Sequence, residues 1–159
     1  MTPPPPPPPR SESGPRAVPR GGHRGVPHTA DVRVEAWAPT REECLAHAVR
    51  GVCKSFLDLS AADAGGLAVR RREVEVRAGT DEDLLVALLD EVVYRLDVAG
   101  EAPVAVEPVP VPGGVRVVLR MVDADGLPAT GAPPKAVTLH GLSFAGGPAG
   151  WRCSVTLDV

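Results

Sequence analysis

The segment TREECLAHAVRGVCKSF, residues 40–56, decides the fold because it predicts an amphipathic helix with a recognisable start. Thr40 and Glu43, just after Pro39, form the capping-box pattern that begins many helices. Apolar residues then recur at i, i+3, i+4, i+7, i+8 and i+11, which is the spacing of one continuous helical stripe. They are Leu45, Ala48, Val49, Val52, Cys53 and Phe56. The stripe predicts a helix that covers one face of a sheet.

A second helix is predicted after Thr80, which Asp81, Glu82 and Asp83 follow directly. Threonine is a favourable N-cap, and acidic residues in the first turn stabilise the positive end of the helix dipole. The apolar positions of this helix are Leu84, Leu85, Leu88, Leu89, Val92, Val93 and Leu96. We expect it to be the most deeply packed element of the protein.

Strand patterns surround these two helices. Apolar and polar residues alternate along the chain with a period of two, as in a strand with one buried face. The predicted strands are 32–36, 72–78, 104–111, 115–122, 136–144 and 151–158. Pro108 and Pro110 restrict the third of these to a sheet edge or an irregular segment. The order of elements predicts an α+β domain in which two helices pack on one face of a mostly antiparallel sheet.

The first 27 residues differ in composition from the rest of the chain. They contain the run Pro3 to Pro9 and almost no apolar residue to bury, so they are predicted to be a disordered, partly polyproline II tail. The domain is accordingly predicted to span residues 28–159. The tail holds four of the 17 basic and one of the 20 acidic residues, which gives the tail a charge of +3 and the domain −6.

Composition argues against several classes of protein. An acidic domain with two Trp, one Tyr and two Phe in the whole chain is unlike a stand-alone nucleic-acid binder, which needs a basic face or stacking platforms. The longest apolar run, 84–89, is too short to cross a membrane. The N-terminus lacks the apolar region of a secretory signal, and three cysteines without metal-ligand spacing fit reduced thiols. We therefore expect a cytoplasmic protein.

Acidic groups at the ends of two predicted strands suggest a cation site. Asp158 and the terminal carboxylate of Val159 close the last strand, and Asp31 lies at the end of the first strand on its polar side. Carboxylates so close together repel one another unless a cation, a basic group or water separates them. Hard divalent cations such as Ca²⁺ and Mg²⁺ prefer all-oxygen surroundings. The site forms only if the first and last strands are neighbours; otherwise these groups are simply solvated.

Four segments of the chain, taken in order, resemble the archease family. They are His28-Thr29-Ala30-Asp31-Val32 with the following Ala36-Trp37 and residues 40–43, then 83–85 with 89–94, Lys135-Ala136-Val137-Thr138, and Leu157-Asp158-Val159. The resemblance covers essentially residues 27–159 and leaves the proline-rich tail outside. It implies a strand–helix–strand–strand (SHS2-like) core.

The resemblance also implies a function. Archeases are small cytoplasmic accessory proteins of the RNA-splicing ligase of tRNA splicing and RNA repair, which uses GTP and a divalent metal. They promote guanylylation and turnover of the ligase, with no catalytic residues of their own and only indirect contact with RNA. The family has also been linked to a tRNA methyltransferase, as a chaperone-like partner.

Site residues follow from the same resemblance. The family's calcium ligands correspond to Asp31, Asp158 and Val159, while Lys135 corresponds to a residue important for activity. His28 is a candidate for a partner contact or a structural polar contact. The sequence departs from the family at Ala38, at Leu139 and in the loop 125–131, so partner contacts are less well predicted than metal binding.

Two alternatives remain open. One is a small metal-dependent phosphoesterase, although the chain has no G-x-S-x-G, P-loop or second cluster of metal ligands. The other is a general chaperone-like module for an RNA-modifying enzyme. The run Arg70-Arg71-Arg72 could bind phosphate, but charges that protect a strand edge are the simpler interpretation.

Overall fold

Helices and strands alternate in the first half of the domain, and strands make up the second half. The computed structural model describes residues 2–4 and 31–159, with only the backbone described for Asp63 and Ala64. The elements are β1 (Asp31–Ala38), α1 (Arg41–Lys54), β2 (Arg70–Arg77), α2 (Asp81–Ala99), β3 (Glu101–Val111), β4 (Gly114–Asp123), β5 (Ala136–Gly147) and β6 (Gly150–Asp158). Short 3₁₀ turns lie at Leu59–Ala64 and Ala124–Gly126.

Both helices begin at the predicted threonines. The Thr40 hydroxyl accepts a hydrogen bond from the Glu43 N–H at 3.2 Å, and the Thr80 hydroxyl accepts one from the Asp83 N–H at 3.1 Å. Each bond satisfies a backbone donor that the first turn of a helix leaves unpaired. α2 ends at Gly100, whose φ of 63° lies in the left-handed region that glycine adopts without steric cost. The sequence therefore sets both ends of the longer helix.

The strands form two antiparallel sheets of three strands each, in the orders β1-β6-β5 and β2-β4-β3. The α+β class and the helix-covered face are confirmed, whereas the strands divide between two sheets instead of joining in one. The division follows the two hairpins, one formed by β3 and β4 and the other by β5 and β6. Each hairpin pairs with one strand from the first half of the chain.

Irregular positions in the strands match the local sequence signals. β3, with Pro108 and Pro110, is an edge strand as predicted, and its register shifts between Pro103 and Ala105. β5 bends at Gly141, where φ is 68°, and its register shifts between Thr138 and Ser143. A proline cannot donate to the strand ladder, and a left-handed residue interrupts it.

Both sheets turn an apolar face toward the helices. The fully buried residues of β4 are Val115, Val117, Leu119 and Met121, and in β1 Val34 and Ala36 are buried. α1 contacts β1 and β6 of the first sheet and β3 of the second, whereas α2 contacts β5 of the first and β2 and β3 of the second. The helices thus join the two sheets around one core.

The three cysteines lie inside this core as free thiols. Burial raises the pKa of Cys44 and of Cys53 to about 12, so both thiols stay protonated at neutral pH. A protonated, buried thiol is a poor nucleophile and a poor metal ligand. These cysteines serve as small apolar core residues.

The outer face of the first sheet is open to solvent and carries an exposed aromatic residue. Trp37 of β1 is 64% exposed and lies opposite Arg152 of β6. The Arg152 guanidinium carbon is 6.0 Å from the centroid of the Trp37 ring, within the range of a cation–π contact. Within residues 31–159, no helix has the length and hydropathy needed to cross a membrane.

Candidate functional site

The first and last strands of the domain are neighbours, and this brings two acidic residues together. β6 is the central strand of its sheet, and Asp158 pairs with Asp31 on β1 and with Ala136 on β5. Directly opposite residues of an antiparallel pair have Cα atoms about 4.5–5.5 Å apart and side chains on the same face. The carboxylates of Asp31 and Asp158 therefore extend from one face of the sheet, within reach of a single ion.

Two further sequence-predicted residues lie at the same end of this sheet. Val159 follows Asp158 directly, and the backbone N–H of Lys135 donates to the Asp158 carbonyl oxygen at 2.7 Å. Pro134, buried just before Lys135, helps to hold the segment that enters β5. The Lys135 side chain is exposed. The candidate His28 and the predicted domain start at residue 28 lie outside the described residues, as does nearly all of the predicted tail.

Within residues 31–159, the two facing carboxylates have no neutralising partner. Both aspartates are exposed, and among residues 31–159 neither takes part in an ion pair. Like charges directly opposite on neighbouring strands destabilise the pairing. A divalent cation removes this repulsion, and carboxylate oxygens are the donors that Ca²⁺ and Mg²⁺ prefer. The donor set at this sheet end therefore fits such an ion.

The site is nevertheless incomplete as a coordination shell. Across the part of the chain that the structure describes, no group of three or more His, Cys, Asp or Glu side chains could hold a metal. Calcium takes about six to eight oxygen ligands and magnesium about six. The two aspartates could supply only some of them, so main-chain oxygens, water or a partner molecule would have to supply the others.

The arginine run at the start of β2 has a structural role. Arg70 and Arg72 extend to Glu101 on β3, with Arg72 Nη2 3.1 Å and Arg70 Nε 3.4 Å from Glu101 Oε1. Arg70 also contacts Asp123 at 2.6 Å. Glu101 is buried, and its pKa is lowered by the hydrogen bond from Arg72 and by the charges around it. Because Arg70 and Arg72 are engaged with Glu101, the edge-protecting interpretation is favoured over phosphate binding.

One feature beside the candidate site was not predicted from the sequence. A groove is lined by Asp90, Tyr94 and Asp97 of α2 and by Asp125, and it reaches Lys135 and Val159. The three α2 residues are spaced i, i+4 and i+7, so they share one helix face. The sequence could therefore have predicted a shared helix face for these three residues. It gives no indication that Asp125 or Val159 lies against that face.

Comparisons with known proteins agree with the fold and with the family resemblance of the sequence. The Archease protein family is matched over residues 23–159. Two proteins of Mycobacterium tuberculosis, from strains CDC 1551 / Oshkosh and ATCC 25618 / H37Rv, are each named "Probable protein archease". Each is 54% identical to this chain over 138 residues, which is 87% of this chain and 75% of the relative.

Two solved structures share the fold. One is an archease from Thermotoga maritima, described as a possible chaperone, with a TM-score of 0.63 and 20% identity over 87% of this chain and 98% of its own. The other is the solution structure of Methanobacterium thermoautotrophicum protein 1598, with a TM-score of 0.59 and 21% identity over 82% of this chain and 93% of its own. At such identities the likeness concerns the fold.

Proposed function

Since this chain belongs to the archease family, we propose that it is a non-enzymatic accessory factor of the GTP-dependent RNA-splicing ligase. In this proposal it binds a divalent cation through Asp31, Asp158 and Val159 and promotes guanylylation and turnover of the ligase. The chemistry stays on the ligase, where a bond forms between a ligase histidine and GMP and pyrophosphate leaves. The accessory factor contributes binding and charge.

The observation that carries the proposal is the facing pair of Asp31 and Asp158 at an exposed sheet end. Two like charges facing each other destabilise the pairing of their strands. A cation that binds between them would offset this cost, which supports a binding role for the pair. In this proposal, coordination positions that the protein does not fill are available to a partner. When bound, a divalent cation would neutralise these carboxylates and attract phosphate oxygens of the partner complex.

Lys135 has a separate part in the proposal. Its backbone is fixed by the hydrogen bond to Asp158, while its exposed ammonium group extends from the site. A lysine at such a position is a compact positive charge that attracts phosphate or carboxylate groups. We assign Lys135 to contact with an anionic group of the ligase complex.

The test is a guanylylation and ligation assay with purified ligase, GTP and divalent metal. We expect the wild-type protein to accelerate the ligase at substoichiometric ratios and to release no phosphate by itself. Asp31→Ala and Asp158→Ala should each reduce the acceleration at least tenfold. Glu35→Ala is the matched control, because Glu35 is also an exposed acidic residue of β1 and shares the outer face with Asp31; it should retain full activity.

The outcomes separate the proposal from its alternatives. Folded Asp31→Ala and Asp158→Ala proteins that assist the ligase as well as wild type would remove this site from the function. Phosphate release by the protein alone, from a phosphate ester, would identify a phosphoesterase instead.

A chaperone-like role toward an RNA-modifying enzyme is the second candidate. It is supported by the description of the Thermotoga maritima relative as a possible chaperone. Exposed apolar side chains such as Trp37 and Leu139 provide surface that a client protein could contact. A chaperone would change the solubility or specificity of a client such as a tRNA methyltransferase and leave ligase guanylylation unchanged.

A further inference from the structure

A groove of about 1100 Å³ lies between the C-terminal half of α2, the turn at 124–126 and the segment that leads into β5. Its apolar lining includes Val93, Leu96 and Leu127, and Tyr94, which is 59% exposed, also lines it. The volume slightly exceeds the range of about 300–1000 Å³ that is usual for small-molecule sites. An open groove of this size, with an aromatic residue and apolar side chains, suits an extended peptide.

The charge of the groove is negative. Asp90, Asp97 and Asp125 line it, against one basic residue, Lys135. Among residues 31–159, none of these three aspartates forms an ion pair. Partial burial raises the pKa of Asp90, as expected for a carboxylate without a compensating cation. The groove is therefore complementary to a basic segment.

The chain itself contains a segment of the required chemistry. Residues 10–27 carry Arg10, Arg16, Arg20 and Arg24 with a single acidic residue, and Pro15, Pro19 and Pro27 lie among them. Proline-rich segments favour the polyproline II conformation and bind in grooves lined by aromatic residues. The charge and the proline content of the segment thus suit the groove.

The first described residue of the domain lies near the groove. β1 begins at Asp31, which pairs with Asp158, and the next residue, Val159, lines the groove. Six residues lie between Arg24 and Asp31. An extended chain spans at most about 3.3–3.6 Å per residue, so the seven steps between the two Cα atoms cover roughly 25 Å at most. A short tether of this kind gives an effective concentration on the order of millimolar, so even a weak contact would be populated.

We propose that residues 10–27 of this chain bind in the groove, with their arginines near Asp90, Asp97 and Asp125 and their prolines against Tyr94. This inference does not depend on the ligase proposal, and it is tested without the ligase.

The experiment uses the full chain with a spin label on Ser13→Cys. The three native thiols are buried, so the introduced cysteine is the reactive one. We expect paramagnetic broadening of the backbone amide signals of residues 90–97 and 124–127 in two-dimensional ¹⁵N NMR spectra. The amide signals of residues 46–50 in α1, which does not line the groove, should keep their intensity. Salt near 1 M, where the Debye length is about 3 Å, should weaken the broadening.

Charge reversal supplies the matched comparison. Asp97→Lys with Asp125→Lys should abolish the broadening at the groove, whereas Glu35→Lys with Glu75→Lys makes the same change in net charge on exposed strand positions and should preserve it. The dispersion of the spectrum shows whether each variant is folded. Equal broadening over the whole surface, or an equal loss in both double variants, would overturn the proposal. A mixture of spin-labelled molecules without ¹⁵N and ¹⁵N-enriched molecules without the label reports only contacts between two molecules. Broadening that persists in this mixture would assign the groove to a second copy instead.

Discussion

At the scale of single residues, the facing carboxylates of Asp31 and Asp158 should cost stability whenever no cation is bound. In the presence of a chelator, Asp158→Asn removes the repulsion, and we expect it to stabilise the domain by up to about 1 kcal/mol. With calcium at about 100 times its dissociation constant, the wild type should gain about 2.7 kcal/mol, or roughly 5–10 °C in melting temperature. Asp158→Asn should lose most of that gain.

Thermal melts with and without chelator measure both effects. Glu35→Gln is the control and should follow the wild type in each condition, because it neutralises an exposed carboxylate of the same strand. A calcium-dependent shift of equal size in Asp158→Asn and the wild type would contradict metal binding through this residue.

Lys135 should separate metal binding from partner activation. Lys135→Ala leaves both aspartates in place, so calcium should raise its melting temperature as much as that of the wild type. Its acceleration of ligase guanylylation should nevertheless fall several-fold. Lys54, the other lysine of the chain, lies exposed at the end of α1 and provides the control substitution. Full ligase activation by Lys135→Ala would contradict the assignment.

Glu101 gives a prediction for pH dependence. Its pKa is lowered below the ordinary value of 4.5, mainly by the hydrogen bond from Arg72, so its stabilising contribution is complete above that value. The contribution is lost as the pH falls through the lowered pKa of the folded state. Glu101→Gln should therefore cost about 1–2 kcal/mol at pH 7, and the difference from the wild type should shrink below pH 4.5.

Urea denaturation at a series of pH values between 3 and 7 tests whether the penalty of Glu101→Gln shrinks at low pH. Glu73→Gln removes an exposed partner of Arg71 and Arg116 and should change stability by less than about 0.5 kcal/mol throughout. A Glu101→Gln penalty that stays constant down to pH 3 would show that lost packing, rather than lost charge, is responsible.

At the scale of the elements, the helix starts are the most predictable feature. Thr80→Ala removes the acceptor for the Asp83 N–H and should destabilise the domain by about 1 kcal/mol, whereas Thr80→Asp retains an acceptor and should be nearly neutral. Thr130→Ala, at an exposed loop threonine, is the control. Chemical denaturation of the three variants distinguishes a capping effect from a general effect of replacing threonine.

Some features of the helices and strands are set by neighbouring residues, and others by contacts between distant segments. The caps at Thr40 and Thr80 and the edge position of β3 depend on neighbouring residues, and all three could be predicted from the sequence. The division of the strands into two sheets could not, because it depends on which hairpin pairs with β1 and which with β2. Residue patterning fixes the face of a strand but does not identify its neighbour.

Part of the candidate site could also be predicted from the sequence, and part could not. The alternation of β1 and β6 indicated that Asp31 and Asp158 lie on the polar sides of their strands, and the antiparallel pairing of these strands places them opposite each other. The groove required contacts between α2, the turn at 124–126 and the segment before β5, which are far apart in sequence. No local sequence pattern predicts contacts between segments so far apart in the chain.

At the scale of the whole molecule, the helices make the two sheets one cooperative unit. α1 and α2 each contact strands of both sheets, so neither sheet can lose its helices without exposing the apolar face of the other. Leu89→Ala, at a fully buried position of α2, should destabilise the domain by about 2–5 kcal/mol. Far-UV and near-UV circular dichroism should still report one coincident transition. Two separated midpoints would show that the sheets unfold independently.

The exposed indole of Trp37 gives this surface an intrinsic optical signal. The other tryptophan, Trp151, is only partly exposed and lies 5.3 Å from Phe144 between ring centroids. Emission at long wavelength should therefore come mostly from Trp37, and Trp37→Phe should remove it. A partner that covers the open face of the first sheet would shift this emission toward the blue, so association could be titrated without any added dye.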